Sequence, residues 1–296
     1  GTILGTTNRG NPFHYPVKVD GKVEFQDLSG RVIENIAALG LDGLIVIGGD
    51  GTLGIARDFM DKGVKLVGIP KTIDNDILAT DVTFGFNTAL TTAMEAIDKL
   101  HTTAESHHRV MILEVMGRYA GWIALEAGLA GGADIILIPE IPFEYACVFD
   151  KIRERNRRES KFSIVVVAEG AHARGEGMVF QQTTAPGHEK RLGGIGEHLA
   201  RKITAALEVE TRVTVLGHLQ RGGSPTAFDR ILGTRFGVAA IELIKEGAFG
   251  QMVCLKGRHV ASVPLAEIAG QTKRVDPAGE MVRTAESMGI CMGRPH

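Results

Sequence analysis

The sequence predicts an α/β protein made of two similar three-layer α/β/α lobes with mainly parallel sheets. Three observations lead there. Short Val- and Ile-rich runs, residues 44–47 and 65–69 among them, end abruptly in Gly or Pro, as strands buried on both faces do. Helical stretches separate successive runs, the βαβ pattern of a parallel sheet. Glycine supplies 38 of 296 residues, nearly twice the usual share of about 7%, which fits many tight β–α loops. A chain of this length can bury a large core, and two lobes are expected rather than one.

Composition narrows the function classes. The net charge of −2 gives no basic field for nucleic acid or an anionic membrane. Cys147, Cys254 and Cys291 are odd in number and widely spaced, which favours free thiols in a reducing compartment. No apolar run approaches the ~18 residues of a membrane span; residues 123–138 are broken by Glu126 and Asp134. The expectation is a soluble, cytoplasmic protein.

In chain order, residues 1–10 are a glycine-punctuated loop, and 11–25 read as a surface loop with a turn at Asp20-Gly21. Residues 28–39 predict a helix with Ser29 as N-cap and Val32, Ile33, Ile36 and Ala37 on its apolar face. The strand at 44–47 runs into Gly48-Gly49-Asp50-Gly51-Thr52, a glycine-rich turn ahead of a helix at 54–62. Such a turn brings backbone N–H groups and a helix N-terminus to a phosphate. Asp50 would repel that phosphate unless a divalent cation such as Mg²⁺ lay between them. After the strand at 65–69, Lys71, Thr72, Asp74 and Asp76 offer a cation, a hydroxyl and two carboxylates. An extended backbone there would point both carboxylates to one side. A positioned phosphate, a metal and a base are what phosphoryl transfer requires.

Residues 81–87 form a turn and 88–106 a long helix. The adjacent His107 and His108 cannot face one ligand from a helix, which argues against a metal site there. A strand at 110–115 leads into Met116-Gly117-Arg118 and a helix beginning near Ala120, repeating the strand–glycine–helix arrangement. Strands follow at 135–138 and at 162–168, the latter ending at Glu169-Gly170, and the mixed charges of 149–161 are a solvated helix face. Residues 171–193 read as a surface loop and 195–206 as a helix. Arg212, His218 and Arg221 around Gly222-Gly223 form a phosphate-binding set, because Arg presents a fork of donors matched to phosphate oxygens. A helix at 229–245, a last strand at 252–255 and a tail packing back as a helix complete the chain.

Taken together, Gly48–Thr52, Pro70-Lys-Thr-Ile-Asp-Asn-Asp76, Met116–Arg118, Glu169 and Gly217-His-Leu-Gln-Arg-Gly-Gly223 resemble the phosphofructokinase family, in family order, from residue 1 to about residue 290. The resemblance implies a glycolytic, allosteric homo-oligomer that transfers a phosphoryl group to the 1-hydroxyl of fructose 6-phosphate in a cleft between the lobes. It implies a donor lobe over 1–85 plus 220–270 and a sugar-phosphate lobe over 86–219 plus 271–296. Asp74 would take the hydroxyl proton, with Thr72 and Asp76 supporting. Asp50 would hold Mg²⁺, while Gly49, Gly51 and Thr52 cradle the donor. Arg118 and Lys71 would stabilise the moving phosphoryl group. Met116, Gly117, Arg109, Glu169, Arg212, His218 and Arg221 would bind the sugar phosphate, Arg109 and Arg212 from a neighbouring subunit. Arg9 would reach the donor phosphates, with Asn8 as the competing match. Phosphofructokinases begin with a strand and a glycine-rich donor loop ahead of this segment, so a truncated or incomplete N-terminus is expected.

The donor is the open point. Gly51 leaves room for the inner phosphate of ATP, where pyrophosphate-dependent members carry Asp, yet Lys71 is the residue those members use. Sterics favour ATP, because a side chain at 51 would exclude it and Lys71 excludes nothing. Two other readings compete: an NAD- or lipid-kinase-like enzyme sharing only Gly-Gly-Asp-Gly-Thr, and a non-catalytic sugar-phosphate-binding regulatory subunit.

Overall fold

The computed structural model describes residues 5–6, 10–158, 160–181, 191–268 and 270–295. In chain order it holds β1 (Tyr15–Val19), β2 (Lys22–Gln26), α1 (Ser29–Ala38), β3 (Leu44–Gly48), α2 (Asp50–Asp61), β4 (Leu66–Thr72), β5 (Phe84–Gly85) and α3 (Phe86–His107). Then come β6 (Val110–Val115), α4 (Trp122–Ala130), β7 (Ile135–Leu137), α5 (Tyr145–Arg157), β8 (Ser163–Ala168), β9 (Phe180–Gln181), β10 (Arg191–Leu192) and α6 (Ile195–Leu207). β11 (Thr211–Val215), a 3₁₀ turn at Gly217–Arg221, α7 (Ala227–Lys245), β12 (Gln251–Lys256), β13 (His259–Pro264) and α8 (Glu280–Ser287) finish it.

Two sheets carry the chain, in the orders β13-β12-β4-β3 (with β5 on β4) and β11-β6-β8-β7. The second is parallel throughout; in the first only β13 runs antiparallel. Every residue of β6 and β8 is buried, because both faces are covered. Met111, Leu113 and Val115 of β6 face α3, α4 and α8, while Val110 and Ile112 face α5 and α6. The first sheet is covered likewise, by Leu53, Ala56 and Phe59 of α2 on one side and Leu232, Phe236 and Ala240 of α7 on the other. The predicted three-layer α/β/α arrangement is present twice.

Several local expectations need correction. Residues 11–26 are a β-hairpin, β1 paired with β2, and not merely a loop. Asp20 (φ 50°) and Gly21 (φ 78°) are both left-handed, the geometry of the two-residue turn that matches strand twist. Ser29 lies inside α1; the cap is Leu28, and Asp27 accepts the Ser29 N–H (2.8 Å) in place of a side-chain cap. β4 continues through Pro70, which occupies the last rung against β3 (Gly48 opposite Pro70), where a missing N–H interrupts the ladder least. Beyond the strand expected to be last, Gly257 (φ 60°) turns the chain into β13. β9 and β10 form a short hairpin within residues 171–193.

Candidate active site

The site is assembled from loops at the carboxyl ends of strands in both sheets. β3 ends at Gly48, Gly49 is extended (φ −85°, ψ −171°) as the N-cap, and α2 begins at Asp50. Asp50, Gly51 and Thr52 therefore form the first turn of the helix and not a turn ahead of it. Their N–H groups precede the first intrahelical bond, Leu53 N–H to Gly49 carbonyl (3.0 Å), and point out at the positive end of the helix. A side chain on Gly48 would collide with Thr52, so the close turn requires glycine there. At Gly51 a Cβ would meet nothing within 4 Å. Asp50 Oδ1 accepts the Gly270 N–H at 3.2 Å.

The acidic loop follows β4. Thr72 Oγ1 accepts the Asp74 N–H (3.1 Å) and donates to Asp74 Oδ2 (3.4 Å). Asn75 is left-handed (φ 52°), so the backbone is not extended and the alternation argument for Asp74 and Asp76 fails. Asn tolerates this conformation because its short amide bonds locally; here Asn75 Oδ1 accepts the Thr83 N–H at 3.1 Å. The bend still keeps both carboxylates together. Asp74 is 5% exposed, and Asp74 Oδ1 and Asp76 Oδ1 are buried with no hydrogen-bond partner among the described residues. Burial raises the Asp74 pKa, against the opposing charges of Arg221 and Arg118. Burial first, then the charges of Asp74 and Asp50, push Asp76 up to about 6.

That last shift has a measurable sign. The carboxyl of Asp76 binds its proton more tightly folded than unfolded, so the benefit is full below about pH 4 and is lost as pH rises through about 6. Relative to the ordinary value of 3.8 this corresponds to about 3 kcal/mol. In EDTA, Asp76→Asn is expected to raise the melting temperature at pH 7.5 and to leave it nearly unchanged at pH 4. An unchanged or lower value at pH 7.5 would contradict the burial of this carboxylate.

On the facing sheet, β6 runs into Met116, whose N–H donates to Gln220 Oε1 at 2.7 Å. Gly117 has φ 143°, and a Cβ there would lie 2.5 Å from the Ala120 carbonyl oxygen. Arg118 is left-handed (φ 50°) and donates its N–H to Glu169 Oε1 at 3.0 Å. Glu169, raised in pKa by burial, also accepts the Gly117 N–H. It thus braces the arginine loop besides any contact with sugar hydroxyls. His218 and Arg221 are exposed on the 3₁₀ turn, and the charge of Arg221 reaches Asp74. Gln220 between them is 1% exposed, with Nε2 lacking a partner among the described residues. In the sequence Gln220 stands unassigned within the Gly217–Gly223 motif, and its signal there is a polar residue flanked by His218 and Arg221.

Residues Asp50, Thr72, Asp74, Asp76, Arg118, Glu169 and Arg221 are therefore linked by contact or charge. Lys71 is the penultimate residue of β4, opposite Phe84. Arg109 and Arg212 lie elsewhere: both form ion pairs with Glu210, Arg109 at 2.9 Å, at the amino ends of β6 and β11. The length of β6, about 20 Å, separates them from Met116 of the same chain. Arg9 and Asn8 lie outside the described residues. Among the described residues no group of three or more His, Cys, Asp or Glu could hold a metal unaided. The two partnerless carboxylate oxygens, with Asp50 close enough to raise Asp76, do fit a hard divalent cation that completes its shell with water and substrate phosphates.

Comparison with known proteins identifies the family. A family model described as phosphofructokinase matches residues 1–244. ATP-dependent 6-phosphofructokinase 2 of Clostridium perfringens is 54% identical over 293 residues, covering 98% of this chain and 80% of the relative. The pyrophosphate–fructose 6-phosphate 1-phosphotransferase of Streptomyces coelicolor is 51% identical over 295 residues, covering 99% and 81%. The crystal structure of Pichia pastoris phosphofructokinase superposes with a TM-score of 0.76 at 29% identity, covering 98% of this chain and 30% of that one.

Proposed function

The chain belongs to the phosphofructokinase family, and from that premise we propose that it transfers the terminal phosphoryl group of ATP to the 1-hydroxyl of fructose 6-phosphate. The products are fructose 1,6-bisphosphate and ADP. The observation that carries this reading is Asp74: a buried carboxylate with one oxygen held by Thr72 and the other without a partner among the described residues, under the charges of Arg221 and Arg118.

Asp74 accepts the proton of the 1-hydroxyl as its oxygen bonds to the terminal phosphorus and the bond to the ADP oxygen breaks. Burial makes it a stronger base, and the charges of Arg221 and Arg118 oppose that rise. The first-turn N–H groups of Asp50, Gly51 and Thr52 receive the donor phosphates, and Gly49 admits the backbone approach. Arg118, with Lys71, offsets charge on the moving group. Asp50, with Asp76 beside it, would hold the Mg²⁺ that neutralises donor phosphates when bound. Met116, Gly117, Glu169, His218 and Arg221 form the sugar-phosphate side.

We also assign the two sheets to lobes as expected from sequence, 1–85 plus 220–270 and 86–219 plus 271–296. Arg109 and Arg212 are assigned to the sugar phosphate of a neighbouring subunit, since they lie at the wrong end of their sheet for their own. A homodimer or homotetramer is supported by α7, whose Phe228, Ile231, Val238 and Ile241 are exposed apolar residues spaced along the helix. No helix among the described residues is long and apolar enough to cross a membrane, and a cytoplasmic location suits a glycolytic enzyme.

A coupled assay with fructose 6-phosphate and Mg²⁺, comparing ATP with pyrophosphate, tests the reading. Turnover with ATP is expected. Turnover with pyrophosphate alone would overturn the donor assignment, and sugar-phosphate binding without turnover on either donor would mark a regulatory subunit.

A further inference from the structure

Residues 270–275 cross from the first sheet to the second lobe, touching both sides of the site on the way. The Gly270 N–H reaches Asp50, Thr272 bridges Ile77, and the Lys273 N–H donates to the Asp76 carbonyl at 2.7 Å. Lys273 Nζ then donates to Asn75 Oδ1 (3.0 Å) and to the carbonyls of Thr80 and Asp81 (2.9 Å each). All three ammonium hydrogens thus go to one loop, which contains two left-handed residues without glycine's freedom, Asn75 (φ 52°) and Ala79 (φ 64°). On its other side the ammonium lies 5.3 Å from the Trp122 ring centre, and Trp122 Nε1 donates to the Lys273 carbonyl at 3.0 Å. Trp122 opens α4, four residues after Arg118. Two residues further along the strap, the Val275 N–H donates to Glu140 Oε1 (2.9 Å), the carboxylate that also accepts the Gly121 N–H (3.0 Å).

We propose that Lys273 is a positioning residue for phosphoryl transfer: it holds the Asp74–Asp76 loop in its left-handed bend and, through Trp122, fixes that loop against α4 and the Arg118 turn. The proposal rests on the assignment of Asp74 as base and Arg118 as the charge-offsetting group. Neither partner of the clamp is near the loop in sequence; Lys273 follows Asn75 by 198 residues. Its ammonium does work that a neutral side chain of equal length could not, since Asn75 Oδ1, Thr80 O and Asp81 O are all acceptors. Displacing a base by about 1 Å can reduce turnover about 10²-fold with little change in substrate affinity.

The test uses Lys273→Ala in the full chain, at pH 7, with ATP, fructose 6-phosphate and Mg²⁺. A cavity of about 540 Å³ opens beside Lys273, lined also by Asp81, Trp122 and Lys256, so n-propylamine, which replaces the atoms removed, has a route to the vacated site. The expected result is a kcat about 10²-fold below wild type, a KM for fructose 6-phosphate within about threefold, and a kcat raised about tenfold by n-propylamine. A kcat within about threefold of wild type overturns the proposal, as does a loss that the amine leaves untouched. Should Lys273→Ala not fold, Trp122→Phe keeps an aromatic ring but removes the five-membered part of the indole with its Nε1–H donor; a several-fold lower kcat at unchanged KM is expected, and an unchanged kcat overturns the proposal. Wild-type protein inactive with ATP and fructose 6-phosphate would instead defeat the assignment of the reaction itself, before any variant is compared.

Discussion

Asp74→Asn is expected to lower kcat by about 10³-fold, inside the 10²–10⁴ range for a positioned general base. That loss corresponds to about 4 kcal/mol of transition-state stabilisation. The amide has the shape of the carboxylate, so it keeps its place beside Thr72 and leaves fructose 6-phosphate binding nearly unchanged. The expected signature is therefore a fall in kcat with KM preserved. The variant should also melt no lower than wild type in EDTA, because the carboxylate it replaces is buried with Oδ1 lacking a partner among the described residues. Steady-state kinetics at saturating ATP and Mg²⁺ decide the matter: a kcat within about tenfold of wild type would remove Asp74 from the role of base. The same variant tests sharing of sites between subunits. Under the proposed assignment, Arg212→Ala would damage a neighbour's sugar-phosphate site and Asp74→Asn its own. Mixed oligomers of the two inactive chains should then regain turnover, and mixtures that stay inactive would place Arg212 within its own site.

How much of this was legible in the sequence depended on the range of the forces involved. The buried parallel strands could be read because β6 and β8 have both faces covered, which forces continuous runs such as Val-Met-Ile-Leu. Gly48 and Gly117 could be read because close backbone approach leaves no room for a Cβ at either. The exposed hairpin β1–β2 was missed because none of the residues of β2 is buried, so no hydrophobic alternation marks it. Asp74 and Asp76 lie close enough for the charge of one to raise the other, but the premise that paired them fails, because the left-handed Asn75 replaces the extended backbone. Part of what holds the bend is distant, since the Asn75 amide is held by Lys273 as well as by the nearby Thr83. No local pattern records a contact spanning 198 residues. Gln220 was hidden for a related reason, since a polar side chain in a Gly-rich loop reads as solvated until the Met116 N–H is found donating to its Oε1.

Gly51→Asp is expected to abolish the use of ATP and to spare any use of pyrophosphate. The substitution should not disturb the fold. Gly51 is the second residue of α2, a Cβ there meets nothing within 4 Å, and its φ is not left-handed. An acidic residue in the first turn even favours the helix. The effect falls on the donor alone. A carboxylate at this position projects into the open space before the helix N-terminus, where the inner phosphate of a nucleotide would pass. Two like charges about 4 Å apart near a protein surface repel by about 4 kcal/mol, which corresponds to a loss of about 10³-fold in kcat/KM for ATP. Pyrophosphate has no inner ester to place there and escapes the clash. Lys71 raises the opposite expectation, because it is the residue that pyrophosphate-dependent members of the family use and because a relative 51% identical is named for pyrophosphate. The two residues act differently, however: Lys71 adds a cation that either donor tolerates, whereas a side chain at 51 would take away space that only the nucleotide needs. The discriminating measurement is kcat/KM for ATP and for pyrophosphate in the wild type and in Gly51→Asp. Unchanged ATP kinetics in the variant would show that the inner phosphate does not pass residue 51, and the steric basis for choosing ATP would fall with it.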